Sequence, residues 1–215
     1  MDQLQQTLLD ELRGIPIIDP HSHVDPHAPT ARGLDDLLGY HYYTELAVSA
    51  GMDPAPLAPA VGPADRIRAI AAWLPTIDNT AQYSWLLQIA RELFGFDADR
   101  IDAVADRVAQ VAGEAGWEDD LLARSNVERV FLTNDFDDPL EGFDTHRYVP
   151  CLRTDQLVFH LHDPSVQARL ATATGVEMTS IASLRLAIGK LFENFRSRGA
   201  KAAAISLPPS FQPFA

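Results

Sequence analysis

His21 and His23 close a short apolar run, Ile15-Pro16-Ile17-Ile18-Asp19-Pro20, and their spacing carries the first chemical reading of this chain. Side chains two apart on an extended backbone point to the same side, so both imidazoles can reach one metal ion. In parallel sheets and barrels, sites are assembled at the carboxyl ends of strands. The pair falls at such an end if residues 15–18 form a buried strand. The alternative is a polar surface loop. Imidazole donors suit Zn, Fe, Co, Ni or Mn, so a divalent metal, zinc first, is the expected cofactor. Two protein ligands fall short of the usual catalytic three, and a third has to come from elsewhere.

Other residues offer weaker signals. His27 sits in a proline-rich loop, where a histidine is usually solvated. His160-Leu161-His162 repeats the His-x-His spacing after the apolar Leu157-Val158-Phe159, although Asp163-Pro164 directly behind it reads as helix capping. Cys151 lies inside an apolar run with no base near it in sequence and reads as packing. Trp73, Trp85 and Trp117 fall at helical spacings and read as core.

The elements that would position these groups follow from periodicity. Residues 2–13 repeat apolar side chains at helical spacing and stop at Gly14. From about 33 to 122 the pattern is helical throughout, with segments at 33–51, 65–74, 83–94 and 99–112 and a proline-rich linker at 54–63. That is far longer than an ordinary βα connection and reads as a helical insertion after the first strand. Strands are expected at 127–133, 148–152 and 202–207, with helices starting at Pro164 and Ser180 and ending at Gly175 and Gly199. Four strands, each running into polar residues and separated largely by helices, predict a parallel α/β sheet. A (β/α)8 barrel needs eight such units. Four units match either a small closed sheet or, the reading favoured here, the N-terminal half of a TIM barrel of the metal-dependent hydrolase type. The whole of 1–215 then belongs to one barrel domain.

Composition narrows the partners. The 215 residues are 47% hydrophobic and 22% charged, enough for a real core, and the formal net charge is −13. Nucleic acid or an anionic membrane would demand clustered Lys and Arg, so neither is expected. A small acidic ligand is compatible, because one or two local arginines suffice for a carboxylate. One cysteine, no secretory pattern at the N-terminus and no membrane-length apolar run set the expectation of a soluble cytoplasmic protein. A homo-oligomer is left open.

Taken in order, Ile18-Asp19-Pro20-His21-Ser22-His23, Gly39-Tyr40-His41-Tyr42, Trp73, Tyr83-Ser84-Trp85, Glu92-Leu93-Phe94-Gly95, Thr133-Asn134-Asp135 and Pro150-Cys151-Leu152-Arg153-Thr154-Asp155 resemble the uronate (glucuronate) isomerases of the amidohydrolase superfamily. The resemblance implies a TIM barrel with a helical insertion after strand one, and interconversion of D-glucuronate with D-fructuronate. It makes His21 and His23 metal ligands. It places His41 and Tyr42 at the substrate as binding and acid–base groups. It matches Arg153 and Asp155 to an Arg-Pro-Asp motif, with Arg153 clamping the sugar-acid carboxylate and Asp155 holding a hydroxyl or orienting the arginine. Thr154 replaces the motif's proline, a departure that could shift the loop. The family's remaining metal carboxylate, and an arginine near it, lie on late strands that have no counterpart here.

Without the resemblance, His41 and Tyr42 read as part of an amphipathic helix with an aromatic stripe of Tyr40, Tyr42 and Tyr43. Arg153 and Asp155 read equally as a surface ion pair. Two other functions compete with isomerisation. One is a hydrolase in which a metal-activated water attacks an ester, lactone or amide. The other is an inactive half-barrel that binds a partner through unpaired sheet edges.

Overall fold

A computed structural model describes residues 2–96 and 101–212, with backbone alone at residue 102. The chain divides into two compact units, one formed by Met1–His27 with Asn126–Ala215 and the other by Ala28–Ser125.

The first unit carries the strands. Helix α1 (Gln3–Arg13) starts at a capping box in which Asp2 and Gln5 satisfy each other's backbone N–H groups. Asn126 then ties the start of the sheet together. Its φ is 53°, a left-handed conformation that asparagine tolerates, and its side-chain amide donates to the Arg13 and Ile15 carbonyls at 3.0 and 2.8 Å. Strand β1 (Ile17–Asp19) pairs parallel with β2 (Val127–Phe131), and β2 pairs parallel with β3 (Tyr148–Val149). Beyond Pro150, β4 (Cys151–Arg153) pairs parallel with β5 (Ala202–Ala204).

Proline lacks an N–H and interrupts the strand assignment, yet the ladder runs past it. Leu132 N–H donates to the Val149 carbonyl at 3.0 Å, Asn134 N–H to Cys151 O at 2.9 Å and Arg153 N–H to Asn134 O at 2.9 Å. The strands therefore lie side by side in chain order, all parallel among the described residues. Between β4 and β5 run α8 (Asp155–Phe159), α9 (Pro164–Thr174) and α10 (Ile181–Ser197). Their inward faces build a core with Leu152, Leu170, Leu191 and Phe195 at its centre. Leu170→Ala should cost about 2–5 kcal/mol, read as a lower midpoint in denaturant unfolding; a midpoint unchanged from wild type would contradict that packing.

The second unit is helical among its described residues. The expected 33–51 run is two helices, α2 (Leu34–Leu38) and α3 (His41–Ser49), separated at Gly39-Tyr40. It continues with α4 (Pro63–Ala71), α5 (Ala81–Phe94), α6 (Ile101–Val111) and α7 (Trp117–Arg124) around a core that includes Leu34, Leu38, Ile70, Leu86 and Val108. The sequence pattern was read as helical to about residue 122 but assigned no separate helix to α7. It placed the start of α6 at residue 99, which lies outside the described residues.

Three expectations are corrected. The apolar run before the histidines is a strand but not a buried one: Ile17 and Ile18 are 48% and 53% exposed. Strand β1 is the edge of the described sheet, which leaves those side chains about half exposed. Trp85 is 51% exposed and not core, whereas Trp117 is buried and Trp73 packs on the helical core. The tyrosine stripe is split: Tyr43 is buried on the inward face of α3 together with Ala47 four residues on, while Tyr42 and the N-cap residue Tyr40 face solvent. No described helix is long and apolar enough to cross a membrane.

Candidate metal and acid-binding site

Directly after β1 the chain continues alongside β2. Ser22 N–H donates to the Phe131 carbonyl at 2.8 Å, and the Thr133 hydroxyl donates to Ser22 O at 2.9 Å. This holds residues 21–23 at the carboxyl end of the sheet, with the His21 and His23 ring centroids 5.1 Å apart and nearly perpendicular. A metal–nitrogen bond of about 2.0–2.1 Å, added to the ring's own radius, puts the centroids of two imidazoles on one ion about 5 Å apart at a tetrahedral angle. The centroid spacing is compatible with one shared ion.

The tautomer fits as well. The Thr133 oxygen lies 3.0 Å from His23 Nδ1. Thr133 has one hydroxyl hydrogen, and with that hydrogen given to Ser22 O, His23 Nδ1 must be the donor. The His23 Nε2 lone pair is then free for a metal, with the threonine fixing the ring from behind. Thr133→Val should weaken divalent-metal binding about 10–100-fold with the fold intact; unchanged affinity in a metal titration would remove Thr133 from the site. Among the described residues, no group of three or more His, Cys, Asp or Glu side chains gathers around one point. His27 turns elsewhere, its ring packed edge-on against Phe143 with centroids 5.6 Å apart.

At the end of β4 stand Arg153 and Asp155. Arg153 Nε lies 3.3 Å from Asp155 Oδ2, and the Ser206 N–H donates to Asp155 Oδ1 at 3.3 Å. Burial opposes ionisation of Asp155, but the hydrogen bonds from Arg153 and Ser206 outweigh it and hold the carboxyl below the usual carboxylate range. Asp155 Oδ2 is shielded from solvent and has no well-aligned hydrogen bond of its own. Both residues line a cleft of about 470 Å³ that also takes in Asp135, Gln156, His160 and Arg169.

Thr154 earns its place. Its N–H and its hydroxyl both donate to the Ala204 carbonyl, at 2.9 and 3.0 Å, stitching β4 to β5. A proline there, with neither an N–H nor a hydroxyl, would remove both bonds.

His41 and Tyr42 lie at the start of α3 in the second unit, with ring centroids 4.3 Å apart; Tyr40 stands 4.3 Å from His41. His160 and His162 are exposed, their centroids 6.3 Å apart. Asp163 between them and α9 caps that helix by accepting from Ser165 N–H at 2.8 Å, which is the capping role its sequence suggested. Burial pushes the Cys151 thiol up, as suits a packing residue.

Sequence reasoning gave no role to Asn134, whose side chain is one of the few buried polar groups, 5% exposed. Its amide donates to Asp138 Oδ2 at 3.0 Å, and its carbonyl accepts from Cys151 N–H at 3.1 Å. It thereby locks β2 onto β4, the strand that carries Arg153. A polar residue ending an apolar run was the available signal.

Comparison with known proteins points one way. No protein-family model matches the chain. It is 31% identical to the uronate isomerase of Bacillus licheniformis over 141 residues, which cover 60% of this chain and 30% of that protein. It is 24% identical to the uronate isomerase of Streptococcus equi subsp. zooepidemicus across 95% of this chain and 48% of that one. Against the latter, the chain spans about half the relative's length. In fold it is similar to the crystal structure of uronate isomerase from Thermotoga maritima (TM-score 0.80, 18% identity, 95% of this chain and 49% of that one). It is likewise similar to a uronate isomerase from Bacillus halodurans (TM-score 0.79, 20% identity, 97% and 52%). By sequence and by fold alike, the proteins this chain is similar to are uronate isomerases, the family its motifs resemble.

Proposed function

We propose that this chain forms the metal- and acid-binding part of a uronate isomerase, interconverting an aldouronate such as D-glucuronate with its ketouronate. The observation that carries the reading is the common placement of two chemistries on one parallel sheet: an imidazole pair sized for one ion after β1, and an Arg–Asp pair after β4. The sheet is proposed to be the N-terminal half of a TIM barrel. The outer strand β1 leaves Ile17 and Ile18 exposed, and the segment after β5 leaves Ile205 and Leu207 exposed, apolar surface that a continuing barrel would cover. A cytoplasmic location belongs to the same proposal.

Isomerisation moves a proton between C2 and C1 of the open-chain sugar and another between their oxygens. A divalent ion held by His21 and His23 would supply polarisation of those oxygens. Arg153 offers a planar fork that suits the substrate carboxylate. Asp155 is ionised at neutral pH, and its ion pair with Arg153 orients that fork toward the substrate. His41 and Tyr42 keep the role that the resemblance gives them, substrate contact and acid–base function. The test is to incubate the zinc-loaded chain with D-glucuronate and follow the sugar by NMR. Ketouronate signals that vanish on chelation are expected; unchanged glucuronate refutes isomerase activity of this chain and favours the inactive half-barrel.

A further inference from the structure

Arg169, in the middle of α9, holds together two segments that frame the Arg153–Asp155 pair. Its guanidinium grips the Asp137 carboxylate, with Nε to Oδ2 at 2.7 Å and Nη2 on Oδ1. Nη2 also reaches Asp135 Oδ2 at 3.5 Å, and the guanidinium carbon lies 4.8 Å from the centroid of the buried Phe136 ring. Three consecutive residues of the segment after β2 are thus held by one side chain. The remaining bond crosses to α8: Nη1 donates to Gln156 Oε1 at 2.6 Å, and Gln156 is the residue directly after Asp155.

Helix α8 has five residues and no side-chain cap. So short a helix has little stability of its own, and its orientation depends on tertiary ties such as this one. The guanidinium is matched by carboxylates on one side and an amide on the other, so it is not a free anion receptor.

We propose that Arg169 is a positioning residue for the sugar-acid site, setting α8, and with it Asp155 and its partner Arg153, against the segment after β2. The proposal rests on the reading of that pair as the substrate site. Misplacement of a binding group by about 1 Å can cost up to about 10²-fold in rate, and lysine cannot reproduce a planar fork.

The test uses two variants of the full chain. Arg169→Lys keeps the charge and loses the fork. Gln156→Leu cuts only the tie to α8 and leaves the Asp137 grip, so it remains informative if the first variant folds poorly. Each should lower kcat/KM for D-glucuronate about 10–100-fold, mostly through KM. In parallel, the Asp155 carboxyl, followed by carbon NMR, should titrate at higher pH in both variants, a readout that needs no turnover. Folded variants with wild-type KM and a wild-type Asp155 titration overturn the proposal, whatever their melting temperatures. If the wild-type chain does not isomerise the sugar, the isomerase reading fails and the titration alone decides the role of Arg169.

Discussion

Replacing His21 or His23 with alanine is expected to remove the bound divalent ion and to lower isomerisation of D-glucuronate by about 10³-fold or more. Lewis-acid stabilisation of the reacting oxygens contributes several kcal/mol, and a site offering two side chains cannot lose one and keep its ion. Little loss of stability should accompany either change, since both rings are exposed. Metal content by elemental analysis, with circular dichroism as the control for folding, checks this. A variant that keeps a full equivalent of metal would place the ion elsewhere.

The second large effect is expected from Arg153→Met. It removes the fork proposed for the substrate carboxylate, and a hydrogen bond to a charged group contributes about 1.5–3 kcal/mol, so kcat/KM should fall about a hundredfold. It also acts on Asp155. A carboxyl held below its ordinary pKa in the folded state contributes stability above the unfolded value, and that contribution is lost as pH falls through the folded pKa. Without Arg153 the downward pull weakens and burial of the carboxyl remains, so Asp155 protonates at higher pH. The acid limb of the unfolding profile should therefore begin at higher pH in the variant. An acid limb that coincides with the wild-type curve would show that the 3.3 Å ion pair does not set the Asp155 titration.

Much of this was legible in residue order because it depended on period and punctuation. The stops at Gly14, Gly95 and Gly175 coincide with the ends of α1, α5 and α9, since glycine is a poor helix former and, at Gly95 and Gly175, takes the left-handed conformation that ends a helix. The His-x-His pair and the Arg-Thr-Asp segment were visible because each is local in sequence and follows an apolar run. What stayed hidden depended on partners far along the chain. The exposure of Ile17 and Ile18 depends on what covers the edge of the sheet, and an apolar run alone cannot tell a covered strand from an uncovered one. Thr133 meets His23 across 110 positions and Arg169 meets Asp137 across 32, and neither residue type stands out in its own segment. Thr154 looked like a defect in a motif. Its two bonds to the Ala204 carbonyl give the substitution a purpose that depends on a strand fifty residues away.

The most direct test of the central claim, that His21 and His23 share one divalent ion, is titration of the metal-free chain with Co²⁺ under visible absorption. One equivalent should bind with ligand-field bands of imidazole nitrogen coordination, and His23→Ala should abolish them. Bands that survive in His23→Ala would contradict the claim.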